Sequence, residues 1–221
     1  MKIRAIITGA TGMVGKGVLL ECLVSPDVES VLVINRSTTG IKHDKMKEII
    51  LENLYDLTSI QKELEGYSAC FFCLGVSALG LNEEQYTKIT YTLTFNFAKI
   101  LLSLNPDMVF NYVSGEGTDS SEQGRSMWAR VKGKTENAIL NMGFRDAYAF
   151  RPGLIIPEKG VKSRTRLYNG IYMVMRPFFP WLKKQNFATT TVKVGKAMIN
   201  IALNGYDKKH LENKHINLLA G

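Results

Sequence analysis

Little in this chain could hold a metal or a covalent staple. Its three histidines, His43, His210 and His215, stand far apart with no ligand spacing, which argues against a metal centre. Cysteines number three, and Cys70 and Cys73 fall inside the apolar run ACFFCLG. A strand there sends them to opposite faces, which argues against a redox or metal pair. With 221 residues and 45% hydrophobic side chains, a core of α/β-domain size needs no disulfides. Low-complexity tracts and internal repeats are absent. No apolar stretch reaches the ~18 residues of a spanning helix, and no charged-then-apolar leader follows Met1. The expected compartment is a reducing cytoplasm. Acidic residues are outnumbered, giving a net charge of +8, with the excess gathered between Lys159 and Lys184. That balance attracts anions, but no recognised nucleic-acid module accompanies it. The expectation is a phosphate-bearing small ligand and no nucleic acid.

What is present alternates. Apolar runs at 3–8, 30–35, 47–52, 69–75, 108–114 and 145–153 read as strands. Between them lie helical stretches: 13–25, a short one from Thr58 to Gly66, a long one from Asn82 to Asn105 that Pro106 ends, and 126–142, stopped by Gly143. Continuous apolar strands alternating with helices imply a parallel sheet covered on both faces. The expected fold class is therefore α/β, a Rossmann-type doubly wound parallel sheet in a single domain over 1–221. Residues 154–186, basic and aromatic with few strand signals, read as a small C-terminal substrate-side lobe. Residues 189–203 return as a helix, and HINLL (215–219) reads as a last strand.

The stretch ITGATGMVGKG sets Gly9, Gly12 and Gly15 three apart between the first strand and the first helix. Gly9 permits the tight turn, Gly12 lets backbone approach a pyrophosphate, and Gly15 lets the helix pack closely. The helix N-terminus then offers free N–H groups to phosphate from the Thr11, Met13 and Val14 region. A ribose-reading residue is expected about 20 positions on. There Asn35 and Arg36 stand, and no acid. Arg36, with the hydroxyls of Ser37 and Thr38, suits a 2′-phosphate, so NADP(H) is preferred and NAD(H) stays open. Asp56, with Leu57 after the third strand, either meets the adenine amino group or caps the next helix. Leu74, Gly75 and Val76 would border the adenosine.

The segments TGATGMVG, NRS, YDL, CLG, NYVS, WARVKGKTE and FRPG, in this order, resemble the short-chain dehydrogenase/reductase superfamily. The resemblance is greater to its atypical branch, the Tat-interacting-protein-like and NAD(P)-binding epimerase-like proteins, and covers nearly the whole chain. It implies a catalytic Ser ending the fifth strand, a Tyr-x-x-x-Lys on the following helix, and a cofactor contact near the Pro of FRPG. Ser114, Lys132 and Pro152 match. The Tyr position is Trp128. A helix Asn often found in the family has no clear match, Thr90 being the nearest. An indole N–H donates a hydrogen bond but has no usable acidity, so the phenol's proton is missing. Tyr112, Glu116, Tyr168 and Tyr172 are the stand-ins to test. Lys132 keeps its purpose of holding the nicotinamide ribose.

The implied activity is that of an oxidoreductase or epimerase-like enzyme on an unknown small molecule, or of a non-catalytic dinucleotide-binding regulatory or scaffold protein. For residues 162–186 three readings stand: packed helix and loop, substrate pocket, or a membrane or protein contact through 171–184. In the last, Phe178, Phe179 and Trp181 would insert, with Lys183 and Lys184 near acidic headgroups. Oligomeric state is not legible.

Overall fold

In the run IRAIIT, alternation along β1 (Ile3–Thr8) turns Ile6 to one core and Ala5 and Ile7 to the other. The same sorting repeats in β2 (Val28–Asn35), β4 (Ala69–Phe72) and β5 (Val109–Val113), so apolar side chains fill both faces. The computed structural model describes residues 2–161, 170, 175–183 and 185–221. With β3 (Met46–Ile50), β6 (Asp146–Arg151) and β9 (His210–Glu212), these strands form a parallel sheet in the order β3-β2-β1-β4-β5-β6-β9. This is the Rossmann-type doubly wound fold expected. Strand order reverses between β1 and β4, which opens a crevice beyond their carboxyl ends.

One face is covered by α1 (Met13–Val24) and the late helix α6 (Thr191–Asn204), whose first turn Thr190 caps by accepting from the Lys193 N–H at 3.1 Å. Glycine lets these helices pack closely. A methyl at Gly17 would lie 2.5 Å from Thr191 Cβ, and one at Gly195 2.7 Å from Glu21 Cγ. The other face carries a 3₁₀ turn (Thr58–Leu64), α3 (Leu93–Leu104) and α4 (Met127–Leu140), packed on Phe72, Phe97 and Phe110.

Two element expectations change. The long helix from Asn82 is three pieces: α2 (Glu83–Thr87), a π-helical turn (Lys88–Thr92) and α3. Residues 215–219 are not a strand. They lie in α7 (Asn213–Leu219), and the last strand is β9 just before it. The reason is a capping box: Glu212 accepts from the helix's third N–H, and His215 Nδ1 accepts from the Glu212 N–H at 3.2 Å. Past β6, β7 (Leu154–Ile156) and β8 (Ala188–Thr190) pair as a small separate sheet. The short α5 (Phe179–Leu182) packs Leu182 against Ile156 and Ala188.

Candidate functional site

Gly9 sits at φ +69° and turns the chain off β1; a side chain there would strike the Cys73 carbonyl at 2.6 Å. At Gly15 a methyl would lie 2.3 Å from Gly9 O, so glycine lets α1 start directly against the turn. No side chain caps α1 and no acid stands in its first turn, leaving the amides of Met13, Val14 and Gly15 as the donors of a positive helix end. Beside this turn runs a cleft of about 460 Å³, lined among others by Gly9, Thr11, Gly12, Arg36, Leu74 and Gly75. Uncapped amides, a side-chain-free turn and a cleft at the sheet's switch point fit the pyrophosphate of a dinucleotide.

On the adenosine side several expectations shift. Asn35 lines the cleft as expected; it is buried, and its Oδ1 accepts from the Ala10 N–H at 3.1 Å, so it also braces the glycine turn. Arg36 and Ser37 line the cleft. Thr38 is committed elsewhere: its hydroxyl donates to Glu48 at 2.6 Å, and the Thr39 N–H joins it at 2.9 Å. Asp56 takes the capping alternative, accepting from the Thr58 N–H at 2.9 Å, while Leu57 is buried in the core. Neither lines the cleft. Glu52, Tyr55, Ile89 and Leu93 do, and the sequence reading passed over them in this role. For the last two the sequence carried no signal, since Ile89, Leu93 and Phe97 continue the apolar stripe at steps of four. The π turn brings Ile89 and Leu93 to the cleft, and Tyr55 donates to the Lys88 carbonyl within it at 3.1 Å. Thr90 is buried in that same turn.

Val76 and Ser77 belong both to this cleft and to an adjoining pocket of about 530 Å³, whose lining includes Tyr86, Met127, Trp128 and Lys132. Trp128 and Lys132 thus share one face of α4, as their spacing required. The indole packs over Gly117, where an added methyl would touch it at 3.4 Å. Lys132 donates to the Ser114 carbonyl. Burial holds its ammonium below the ordinary 10.5, at about 8, with Glu136 pulling the other way.

Ser114 directly follows β5, where the resemblance put it, but its hydroxyl is not presented to the pocket. It is buried and bonded to Glu136, with the Phe150 carbonyl at 3.1 Å. Glu136, fully buried on α4, also accepts from Arg151 Nε at 3.0 and 3.1 Å. His210 Nε2 lies 3.5 Å from the same carboxylate. This ion-paired centre, joining β5, α4, β6 and β9, went unread. Tyr112 is ruled out as a stand-in: it lies in the core beside Phe72, and burial first, then Tyr86 and Glu136, push its phenol well above the ordinary value. Glu116 is exposed, with its carboxylate against Gly153, away from the pocket lining. Pro152 is buried, and its carbonyl accepts from the Glu116 N–H at 3.1 Å. Tyr168, Tyr172 and Lys184 lie outside the described residues.

No protein-family model matches the chain. Among curated proteins it is 27% identical over 207 residues to protein FMP52, mitochondrial, of Candida albicans, covering 90% of this chain and 87% of that one. It is 24% identical over 217 residues to protein HTATIP2 of Rattus norvegicus, covering 95% and 86%. Among solved structures, a short chain dehydrogenase family protein from Francisella tularensis superposes with TM-score 0.69 at 14% identity, covering 97% of this chain and 99% of that one. DesIV, a dTDP-glucose 4,6-dehydratase from Streptomyces venezuelae solved with NAD and TYD bound, gives 0.70 at 14%, covering 99% and 80%. The chain is thus similar to FMP52 and HTATIP2, and its fold is shared with short-chain dehydrogenase and dehydratase structures. One expectation is overturned: FMP52 relatives from several fungi are named mitochondrial, which points away from the cytoplasm. The expectation leaned on the lack of a leader pattern and on unpaired cysteines, and neither identifies a compartment, Cys22 and Cys70 being free thiols inside the core.

Proposed function

Taking its homology to FMP52 and HTATIP2 as the premise, we propose that this chain binds NADP(H) and works as an oxidoreductase or epimerase-like enzyme on a small molecule. The observation that carries this reading is continuity. One cleft runs from the glycine turn past Val76 and Ser77 into the pocket of Trp128 and Lys132, so a dinucleotide laid on α1 would end at Lys132. The uncapped amides of α1 would take the pyrophosphate, and Lys132 would hold the nicotinamide ribose. A bound nicotinamide supplies hydride chemistry. What the chain adds is position and exclusion of water by Leu74, Val76, Leu93 and Trp128.

Arg36 supports the phosphorylated cofactor. Its guanidinium is exposed at the cleft and suits a charge-assisted pair with a 2′-phosphate. A second reading has its own support: with Ser114 committed to Glu136 and no phenol at 128, a protein that binds cofactor without turnover needs nothing more. Titration of intrinsic fluorescence with NADPH and NADH tests the cofactor. NADPH should bind about tenfold tighter or more, and Arg36→Ala should erase that preference, as loss of a hydrogen bond to a charged group implies. Equal affinities in the wild type defeat the NADP reading, and no binding of either defeats the dinucleotide reading. NADPH consumption across a panel of aldehydes and ketones separates enzyme from sensor.

A further inference from the structure

The pocket next to the cleft has lost the usual phenol, and Ser114 is turned away from it. Its remaining proton-bearing groups can be weighed one at a time. Tyr86 lines the pocket with its ring but is 1% exposed, and burial raises its phenol while Thr90 bonds it. The Ser77 hydroxyl accepts from the Leu79 N–H at 3.2 Å and is an alcohol, far too weak an acid. Trp128 has an indole N–H that does not titrate in water's range. Lys132 differs from all three. It lines the pocket from α4, donates one hydrogen to the Ser114 carbonyl, and has two more on the same nitrogen.

Resting on the dinucleotide reading above, we propose that Lys132 is the catalytic acid–base group, its Nζ giving a proton to the oxygen of a bound aldehyde or ketone and taking it back from the alcohol. The atoms balance with NADPH as reductant. As the carbonyl carbon is reduced, its π pair moves to oxygen. The oxygen takes the proton from Nζ, the N–H bond breaks, and nitrogen keeps the pair. The neutral amine regains a proton from water. The setting allows both forms. The Ser114 carbonyl fixes the nitrogen, and Glu136, one turn on along α4, favours the cation. Against them stand Val76, Ala78, Leu79, Met127 and the Trp128 ring, and Lys132 is the charged residue in that lining. Tyr86 from α2 shares that lining, its phenol raised by burial. An amine so placed sits near 8, close to the working range of a general acid.

Two measurements test this. Pyridoxal phosphate, which forms an imine only with neutral amines, is trapped with borohydride near neutral pH and the labelled lysines are mapped by mass spectrometry. Lys132 should label well ahead of the surface lysines, and NADPH should protect it. Carbonyl reduction and NADPH affinity are then compared across variants. Lys132→Arg keeps a cation that cannot deprotonate, so it should hold NADPH affinity within about threefold while reduction falls by about 100-fold or more, the share a general acid contributes. Lys132→Met should lose both. Labelling of Lys132 no faster than the surface lysines would overturn the proposal. So would Lys132→Arg at full rate, or tight NADPH binding by the wild type with no reduction of any carbonyl compound. The last outcome leaves the dinucleotide reading standing, whereas absent binding of NADPH and NADH alike would sink that reading and the proposal with it.

Discussion

Glu136 decides what Ser114 can do. Its carboxylate is fully buried, takes the Ser114 hydroxyl and three bonds from Arg151, and has His210 within 3.5 Å. Removing one member of such a pair leaves a charge in the interior with its partner gone, a loss of about 3–5 kcal/mol. Arg151 keeps Glu212 at 3.7 Å and Ser120 as partial replacements, which argues for the lower end. Glu136→Ala should therefore lower urea-derived stability by about 3 kcal/mol with an unchanged slope. A loss under about 1 kcal/mol would mean the centre is incidental. At this scale the sequence was readable where chemistry depends on spacing. Ser114, Trp128 and Lys132 fall where their order and the four-residue helical step put them. Glu136 was visible as the last letter of WARVKGKTE, one turn past Lys132, yet nothing local says that an acid on a helix is buried. Its partners come from β6 and β9, far along the chain. The same holds for Asn35, whose role as a brace depends on Ala10 across the turn.

Among the elements, α4 shows how propensity can mislead. Gly133 sits inside it, where Ala would favour the helix by about 1 kcal/mol. But a methyl there would lie 1.7 Å from the Asp119 carbonyl, because the loop after β5 crosses the helix at that point. That loop is held in place by Asp119, which accepts from the Ser121 and Gly124 N–H groups at 3.0 and 2.6 Å. The clash is with backbone that cannot swing away, so Gly133→Ala should reverse the helix expectation and destabilise by about 1–3 kcal/mol. It should also loosen the Trp128 ring, which rests on Gly117 of the same loop. A thermal melt followed by tryptophan emission checks both, and a raised melting point would refute the crossing. The strands were legible because both faces of a covered parallel sheet demand apolar runs. The π turn was not. One extra residue in a helix leaves the apolar stripe almost intact, and only the cleft it lines reveals it. HINLL misled for a related reason: β-branched and leucine residues fit either period, but Ile216 and Leu219 are buried while Leu218 is 70% exposed, a helical pattern.

Over the whole molecule, the site should leave a mark on stability against pH. Lys132 has a folded value of about 8 against an ordinary 10.5, so between these limits the unfolded chain binds the extra proton. Stability from this group is complete above 10.5 and lost as pH falls through 8. Other groups bend the curve the opposite way. The thiols of Cys22, Cys70 and Cys73 and the phenols of Tyr67, Tyr86, Tyr112 and Tyr148 are all raised by burial. They withdraw stability as pH rises past the ordinary thiol and phenol values. On the acid side, Glu48 and Glu158 are lowered, burial opposing but their bonds to Thr38 and Lys183 prevailing, so their support fades only as pH drops through the carboxylate range. The wild-type curve alone would therefore mix these signs. The difference between wild type and Lys132→Met isolates one, since the thiols, phenols and acids are common to both. That difference should move in favour of the wild type from about pH 8 upward, by at most roughly 1.4 kcal/mol per pH unit. Chemical denaturation of both proteins at several pH values gives it directly. A flat difference would mean that Lys132 titrates alike in the folded and unfolded chains, and that the pocket does not hold its proton loosely enough to hand it on.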